Sequence, residues 1–126
     1  MPFLRTLWAV VILNLSLILS PVQADELDDF FNAELVEPLY ELALPLARTG
    51  NTKAQMYLGV LYWDVRFSEN DPDLAMLWLQ IAFANGQTEA ASYIDPLLPY
   101  FTPRQLRHIA EVAAQCIDSS YENCTP

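Results

Sequence analysis

The fold of this chain is decided by residues 50–90, which read GNTKAQMYLGVLYWDVRFSENDPDLAMLWLQIAFANGQTEA. This stretch predicts two helices joined by a polar loop. The first is expected from Thr52 to Asp64, with Thr52 as its N-cap. Its first apolar stripe, at helical spacing, is Ala54, Leu58, Leu61 and Tyr62. A second stripe is Met56, Val60 and Trp63. A helix that is apolar on two sides must be covered on two sides.

The second helix is predicted by the residues at its two ends. Asp71 is expected to cap it with Pro72 at the first helical position, and Asn85-Gly86 is expected to end it. Its buried stripe is predicted to be Leu74, Ala75, Trp78, Ala82 and Phe83. The small residues on the inner faces of both helices are Ala54, Gly59, Ala75 and Ala82. They should let the two backbones approach closely, with Tyr62 and Trp78 filling the remaining volume.

The pattern returns after thirty-six residues. At this offset Gly50 falls on Gly86 and Ala54 on Ala90. Thr52, Tyr57, Leu58 and Leu61 fall on Thr88, Tyr93, Ile94 and Leu97 in the same way. A helix–turn–helix unit that repeats at this period indicates an α-solenoid.

The whole unit resembles a Sel1-like repeat, a relative of the tetratricopeptide repeat. The resemblance is carried by Ala54, Gln55, Leu58, Gly59, Tyr62, Asp71, Ala75, Trp78, Ala82, Gly86 and Ala90 at their mutual offsets. It covers one full repeat, 51–86, and two partial repeats, 34–50 and 87–116. Val65 stands where the family has a loop glycine, and Ile94-Asp95 replaces the Leu-Gly pair in the last unit. The resemblance implies a scaffold for protein interactions.

We therefore expect an all-α fold, a short α-solenoid of about five helices arranged as antiparallel pairs. Outside the central unit, helices are expected at 34–49 and from Pro103, capped by Thr102, to about Cys116. The segment 88–98 repeats the pattern of the first helix and is expected to be cut short by Pro96 and Pro99. The acidic segment 25–32 is expected to form a single helical turn or a frayed end that places the Phe30 and Phe31 rings in the fold. The predicted organisation is a signal peptide over 1–24, the repeat domain over 25–117 and a tail over 118–126.

The first residues predict export. Arg5 supplies a positive charge, Leu7 to Leu19 is apolar apart from Asn14 and Ser16, and Val22-Gln23-Ala24 provides small residues for cleavage after Ala24. The mature protein would then be periplasmic or secreted. The alternative is an uncleaved anchor, which would be the chain's one connection to a membrane.

The charge of the chain excludes some partners. The formal net charge is −10, and removal of the leader with its Arg5 would make it −11. Such a chain is repelled by nucleic acid and by anionic lipid headgroups. The acidity either favours a basic partner or keeps an exported protein soluble.

The residues offer little for catalysis or for a metal. His108 is the only histidine and no Ser-His-Asp set is evident. Glu69, Asp71 and Asp73 lack the glycine and the distal glutamate of an EF-hand. The sequence therefore predicts no catalytic residue, no cofactor and no metal.

The two cysteines, Cys116 and Cys124, are expected to pair in an oxidising compartment. Their spacing does not match a CxxC redox pair.

The residues of the first repeat helix that are not needed for packing predict a partner surface. In a solenoid of helix pairs, the first helices line the concave face, and the predicted contact set is Met56, Val60, Trp63, Asp64 and Ser92. Methionine and tryptophan suit a peptide or helix laid in a groove. The alternative is that flanking helices cover these side chains.

Three functions follow. The first is an exported, non-enzymatic adaptor that binds a protein, a peptide or a peptidoglycan-associated complex, its partner and oligomeric state being unknown. The second is a structural subunit or homo-oligomer. The third is a β-lactam-binding or hydrolysing enzyme like the cysteine-rich members of the wider family, although those carry a cysteine pair in each repeat and this chain has none inside its repeat.

Overall fold

Seven helical segments follow one another in the computed structural model, which describes residues 22–126 and the side chains from Glu26 onward. They are α1 (Val22–Asn32), α2 (Val36–Arg48), α3 (Thr52–Trp63), α4 (Pro72–Ala84), α5 (Ala90–Ile94), a 3-10 helix (Asp95–Tyr100) and α6 (Pro103–Asp118). Residues 22–126 contain no strand, so the fold is all-α as predicted. The apolar core of the predicted leader, Leu7 to Leu19, lies outside the described residues.

The ends of α3 and α4 follow from local chemistry. The prediction that Thr52 caps α3 is wrong by one residue, because the Asn51 side chain accepts the backbone N–H of Ala54 at 2.9 Å. The side-chain oxygen of Asn51, one residue before Thr52, accepts the hydrogen bond from the free backbone N–H that the threonine hydroxyl was expected to accept. Asp71 caps α4 as predicted, with Pro72 in its first turn. Gly86 ends that helix with φ +99°, in the left-handed region.

In the segment after α4, the α-helix ends before the two prolines that were expected to cut it short. The segment forms the short α5 and then the 3-10 helix, which contains both prolines. Proline has no N–H to donate, so Pro96 and Pro99 cannot extend an α-helical hydrogen-bond ladder. α6 then begins with the predicted capping box, in which Thr102 and Gln105 satisfy each other's backbone N–H groups.

The N-terminal segment is more ordered than the acidic composition of 25–32 predicted. It is a helix of 11 residues. Leu27 is fully buried, and Phe30 and Phe31 pack against the core. Three apolar side chains on one short helix explain why the acidic residues do not keep it in solvent.

Packing is centred on α3 and α4. α3 contacts α1 and α2, while α4 contacts α5 and α6. The two central helices meet closely at Gly59, where an added Cβ would lie 2.7 Å from Leu79 Cγ and 3.0 Å from the Ala75 carbonyl oxygen. Only a residue without a side chain fits this contact. None of the helices described over 22–126 has the length and hydrophobicity to cross a membrane.

The C-terminal segment is tied to the helices. Cys116 and Cys124 form the predicted disulfide. Inside the loop that it closes, the Tyr121 hydroxyl accepts a hydrogen bond from Asn85 Nδ2 at 2.9 Å. The same nitrogen lies 3.0 Å from Gln55 Oε1, and Gln55 is fully buried on α3. This polar network joins the loop to α3 and to the end of α4.

Candidate protein-binding surface

The structure keeps four of the five predicted contact residues at the surface. Ser92 is exposed, and Val60, Trp63 and Asp64 are half-buried. Met56 is only 2% exposed and belongs to the core, so its prediction as a contact residue is wrong. α3 is apolar on two sides and has helices packed on both, which covers the methionine.

Val60 and Asp64 line a cleft of about 380 Å³ between α1 and α3, here called the α1 cleft. Its apolar wall includes Phe30, Phe31 and Leu35. Arg66 bridges the α1–α2 turn and the end of α3, with Nη1 3.0 Å from Glu34 Oε2 and Nη2 2.6 Å from Asp64 Oδ2. Hydrogen bonds from Arg66 hold the pKa of the Asp64 carboxyl below its usual value.

Val60 also borders a second cleft, of about 200 Å³, here called the α5 cleft. Its lining residues are Val60, Trp63, Leu79, Ser92, Tyr93, Pro96 and Leu97. Apart from the Trp63 indole, only Ser92 and Tyr93 in this set have side chains that can form hydrogen bonds. The cleft is therefore mainly apolar and suits one apolar side chain of a partner.

Trp63 has a third cleft on its other side, of about 440 Å³, here called the aromatic cleft. Its lining residues are Trp63, Asp71, Pro72, Asp73, Tyr100, Phe101 and Gln105. The rings of Trp63 and Tyr100 have their centroids 5.4 Å apart and are tilted by 57°. Tyr100 is 72% exposed despite its size. The three clefts adjoin one another at the C-terminal turn of α3, because Val60 lines both the α1 and α5 clefts and Trp63 lines both the α5 and aromatic clefts.

The wall of the α1 cleft is held in place by a group of side chains between α1 and α3. Asp28 accepts hydrogen bonds from the Tyr57 hydroxyl and from Lys53 Nζ, the latter at 2.9 Å. The Phe31 ring stacks on the Tyr57 ring with centroids 4.4 Å apart. The two hydrogen bonds lower the pKa of Asp28, while burial and then the bond to Asp28 raise the pKa of Tyr57. These contacts keep α1 on α3.

A fourth cleft lies between α2, α4 and the disulfide loop and has a volume of about 410 Å³. Tyr62 and Trp78 line it, together with Arg48 and Tyr121. Most of the residues assigned to repeat packing are buried, including the two aromatic residues that border this cleft. They are Ala54, Leu58, Gly59, Tyr62, Ala75, Trp78, Ala82 and Ala90. Gly86 lies in the exposed turn after α4.

The remaining chemically active side chains are dispersed. His108 is exposed on α6. Of the three acidic residues in the α3–α4 loop region, Asp71 caps α4 and Glu69 accepts a hydrogen bond from the Tyr40 hydroxyl at 3.4 Å. Across the described residues, no three potential metal ligands come together.

Sequence reasoning did not select Tyr100 or Asp28 as part of this surface. Tyr100 lies thirty-seven residues after Trp63, and Asp28 lies twenty-nine before Tyr57. Tyr100 meets Trp63 only because the 3-10 helix returns to the end of α3. A rule based on local residue spacing cannot predict a contact of this kind.

Comparison with known proteins identified no matching family model, no similar curated protein and no similar solved structure. The Sel1-like assignment therefore remains a prediction from the residues quoted above.

Proposed function

We propose that this chain is an exported, non-enzymatic adaptor that binds another protein along α3. The observation that carries the proposal is the series of three adjoining clefts whose shared walls are Val60 and Trp63. A half-buried tryptophan between two depressions is the kind of residue that dominates binding energy at protein interfaces.

The proposal includes a short Sel1-like α-solenoid. Its support is the packing order, in which each of the described long helices contacts its neighbour in sequence or the next helix but one. α1 contacts α3, and α4 contacts α6, in addition to the pairs α1–α2, α2–α3 and α3–α4. Stacking of this kind, together with the offset of thirty-six residues, is what a repeat array requires.

Export is supported by two features. The apolar segment Leu7 to Leu19 matches the central region of a signal peptide. The disulfide between Cys116 and Cys124 is of the kind that persists in an oxidising compartment.

The surface supports binding better than catalysis. Each of the three clefts is open to solvent. Two of their carboxylates have structural roles, since Asp64 forms an ion pair with Arg66 and Asp71 caps α4. A nucleophile with an adjacent base would be needed for acyl transfer. Turnover of nitrocefin by the purified protein would overturn this part of the proposal.

The test is capture by crosslinking in the exporting host, using the full sequence with a C-terminal tag. Three versions are compared: the unmodified chain, Trp63→Ala and Phe83→Ala. Phe83 is the matched control, because it is an aromatic residue that lines none of the four clefts and is 50% exposed, so its prediction as part of the buried stripe of α4 is wrong. Thermal unfolding of each purified version shows whether it is folded.

A protein captured by the unmodified chain and by Phe83→Ala, but not by folded Trp63→Ala, supports the proposal. With that protein purified, Trp63→Ala should weaken binding by roughly 2 kcal/mol or more, about thirtyfold in Kd. Equal capture by all three versions overturns the assignment of the surface.

The structural-subunit alternative has its own observation. Val65 and Tyr100 are 85% and 72% exposed, which is unusual for large apolar side chains and suits contact with another copy. Sedimentation of the purified chain over a hundredfold range of concentration separates the two: a concentration-dependent dimer that Tyr100→Ala abolishes would favour the homo-oligomer.

A further inference from the structure

We propose that the aromatic cleft takes an arginine side chain from the partner protein. This inference rests on the proposed function and names the chemistry of the partner. It starts from the juxtaposition of the Trp63 and Tyr100 rings with the carboxylates of Asp71 and Asp73 around one depression.

The aromatic part of the cleft suits a cation. The Tyr100 ring is largely exposed and stands next to the Trp63 indole, with the buried Phe101 also lining the depression. A cation within about 6 Å of such ring faces is attracted by their negative quadrupole, and tryptophan is the strongest of the aromatic residues in this respect.

The acidic part of the cleft adds charge of the complementary sign. Asp71 Oδ1 accepts the backbone N–H groups of Asp73 and Leu74, at 3.0 and 3.2 Å. Neither carboxylate takes part in an ion pair within residues 22–126, where the ion pairs belong to Lys53 and Arg66. No lysine or arginine lines the cleft.

The helix ends do not reverse this sign. The N-termini of α4 and α6 both border the cleft and contribute a partial charge of about +0.5 each, against two full negative charges from the carboxylates. The chain as a whole carries −10, so its long-range field also attracts a basic partner.

Arginine fits this site better than lysine. Its planar guanidinium stacks on aromatic faces and donates several hydrogen bonds in fixed directions, whereas the lysine ammonium is a strongly hydrated point charge. The α5 cleft, on the other side of Trp63, is mainly apolar. The bound segment of the partner is therefore expected to carry an apolar side chain close to its arginine.

The first experiment is an NMR titration of the purified full-sequence protein with N-acetyl-arginine amide. The neutral, nearly isosteric N-acetyl-citrulline amide is the control ligand. The indole N–H of Trp63 and the ring protons of Tyr100 should shift with the arginine compound and not with the citrulline compound, and the shifts should weaken as salt is raised.

Three variants locate the binding. Asp73→Asn should reduce the affinity roughly two- to fivefold through loss of one surface charge. Tyr100→Leu should reduce it roughly two- to fivefold through loss of one ring face. Asp118→Asn makes the same charge change at the end of α6, away from the cleft, and should change the affinity by less than about 1.5-fold because the distance and the salt screen it.

Equal losses in Asp73→Asn and Asp118→Asn, or equal shifts with citrulline, overturn the inference, since they indicate general attraction to an acidic surface. The crosslinking test separates this failure from that of the proposed function. If Trp63-dependent capture persists while arginine does not bind the cleft, only the present inference fails. If arginine binds with the expected variant pattern but no partner is captured, the adaptor function fails and the cation site stands.

Discussion

Replacing Gly59 with alanine tests whether the contact between α3 and α4 limits the stability of the domain. An alanine in the middle of a helix is worth about 1 kcal/mol more than glycine in intrinsic propensity. On local grounds alone, Gly59→Ala should therefore stabilise the protein.

The tertiary contact reverses that expectation. The new Cβ would lie 2.7 Å from Leu79 Cγ and 3.0 Å from the Ala75 carbonyl oxygen. Carbon atoms in good contact are about 3.5–4.0 Å apart, so α3 and α4 would have to separate or Leu79 would have to change rotamer. Leu79 is fully buried and the Ala75 oxygen is backbone, so neither can yield cheaply.

Overpacking of a core costs about 1–3 kcal/mol, and this site should lie in the upper half of that range. Subtracting the helix-propensity gain leaves a net loss of about 1–2 kcal/mol. Urea unfolding followed by tryptophan fluorescence and far-UV circular dichroism measures it. A domain of this size should lose roughly 4–8 °C in Tm per kcal/mol.

A double-mutant cycle shows where the loss arises. Leu79→Ala removes the Leu79 carbon atoms that the new Cβ would meet and leaves the contact with the Ala75 carbonyl oxygen, so Gly59→Ala should cost less in the Leu79→Ala background. Gly86→Ala is the control, because its cost comes from the left-handed backbone, and no other atom lies within 4 Å of its added Cβ. A stabilising Gly59→Ala, or a cost that Leu79→Ala leaves unchanged, would refute the reasoning.

Two further predictions concern the ends of the chain. Cys124→Ser should lower the free energy of unfolding by roughly 2–3 kcal/mol, because the loop constraint is lost. Reductant should destabilise the unmodified protein by a similar amount and leave the variant unchanged. A reductant effect on both proteins would contradict this. The second prediction concerns Asp28, whose pKa is lowered in the folded state by hydrogen bonds from Tyr57 and Lys53. Its contribution to stability is therefore complete above its ordinary pKa of 3.8 and is lost as the pH falls through the lower folded value. The stability difference between the unmodified protein and Asp28→Asn, measured by urea unfolding from pH 7 to pH 2.5, should shrink at the acidic end; parallel curves would contradict the role of the carboxylate.

The local signals in this chain were sufficient for α2, α3, α4 and α6, but not for α1. Asp71-Pro72 and Thr102-Pro103 mark helix starts that the structure confirms, because a cap and a proline act within one turn. The error at Thr52 is of the same local kind: two adjacent residues can both cap, and the asparagine does so. Between 88 and 98 the α-helix is cut short at Pro96, as the two prolines predicted.

The candidate surface was only partly predictable. Val60 and Trp63 followed from the period of one helix, since a stripe that packing does not use must face outward or meet a neighbour. Which of these two outcomes applies is a property of the neighbours. The same period placed Met56 beside Val60, and the structure buries Met56 and leaves Val60 at a cleft.

The amino-acid sequence by itself determined where the long central helices begin and end, which faces are apolar, which small residues lie on the inner faces of α3 and α4, and that the two cysteines lie close enough along the chain to pair. These depend on interactions within a few residues or on the period of one helix. The tertiary structure alone decided that Met56 is covered, that Tyr100 returns to Trp63, and that Tyr121 joins Asn85 and the buried Gln55. Those contacts join residues that are thirty or more positions apart, and they form only when several helices have packed, because it is the packing that sets which side chains meet and which remain open to a partner.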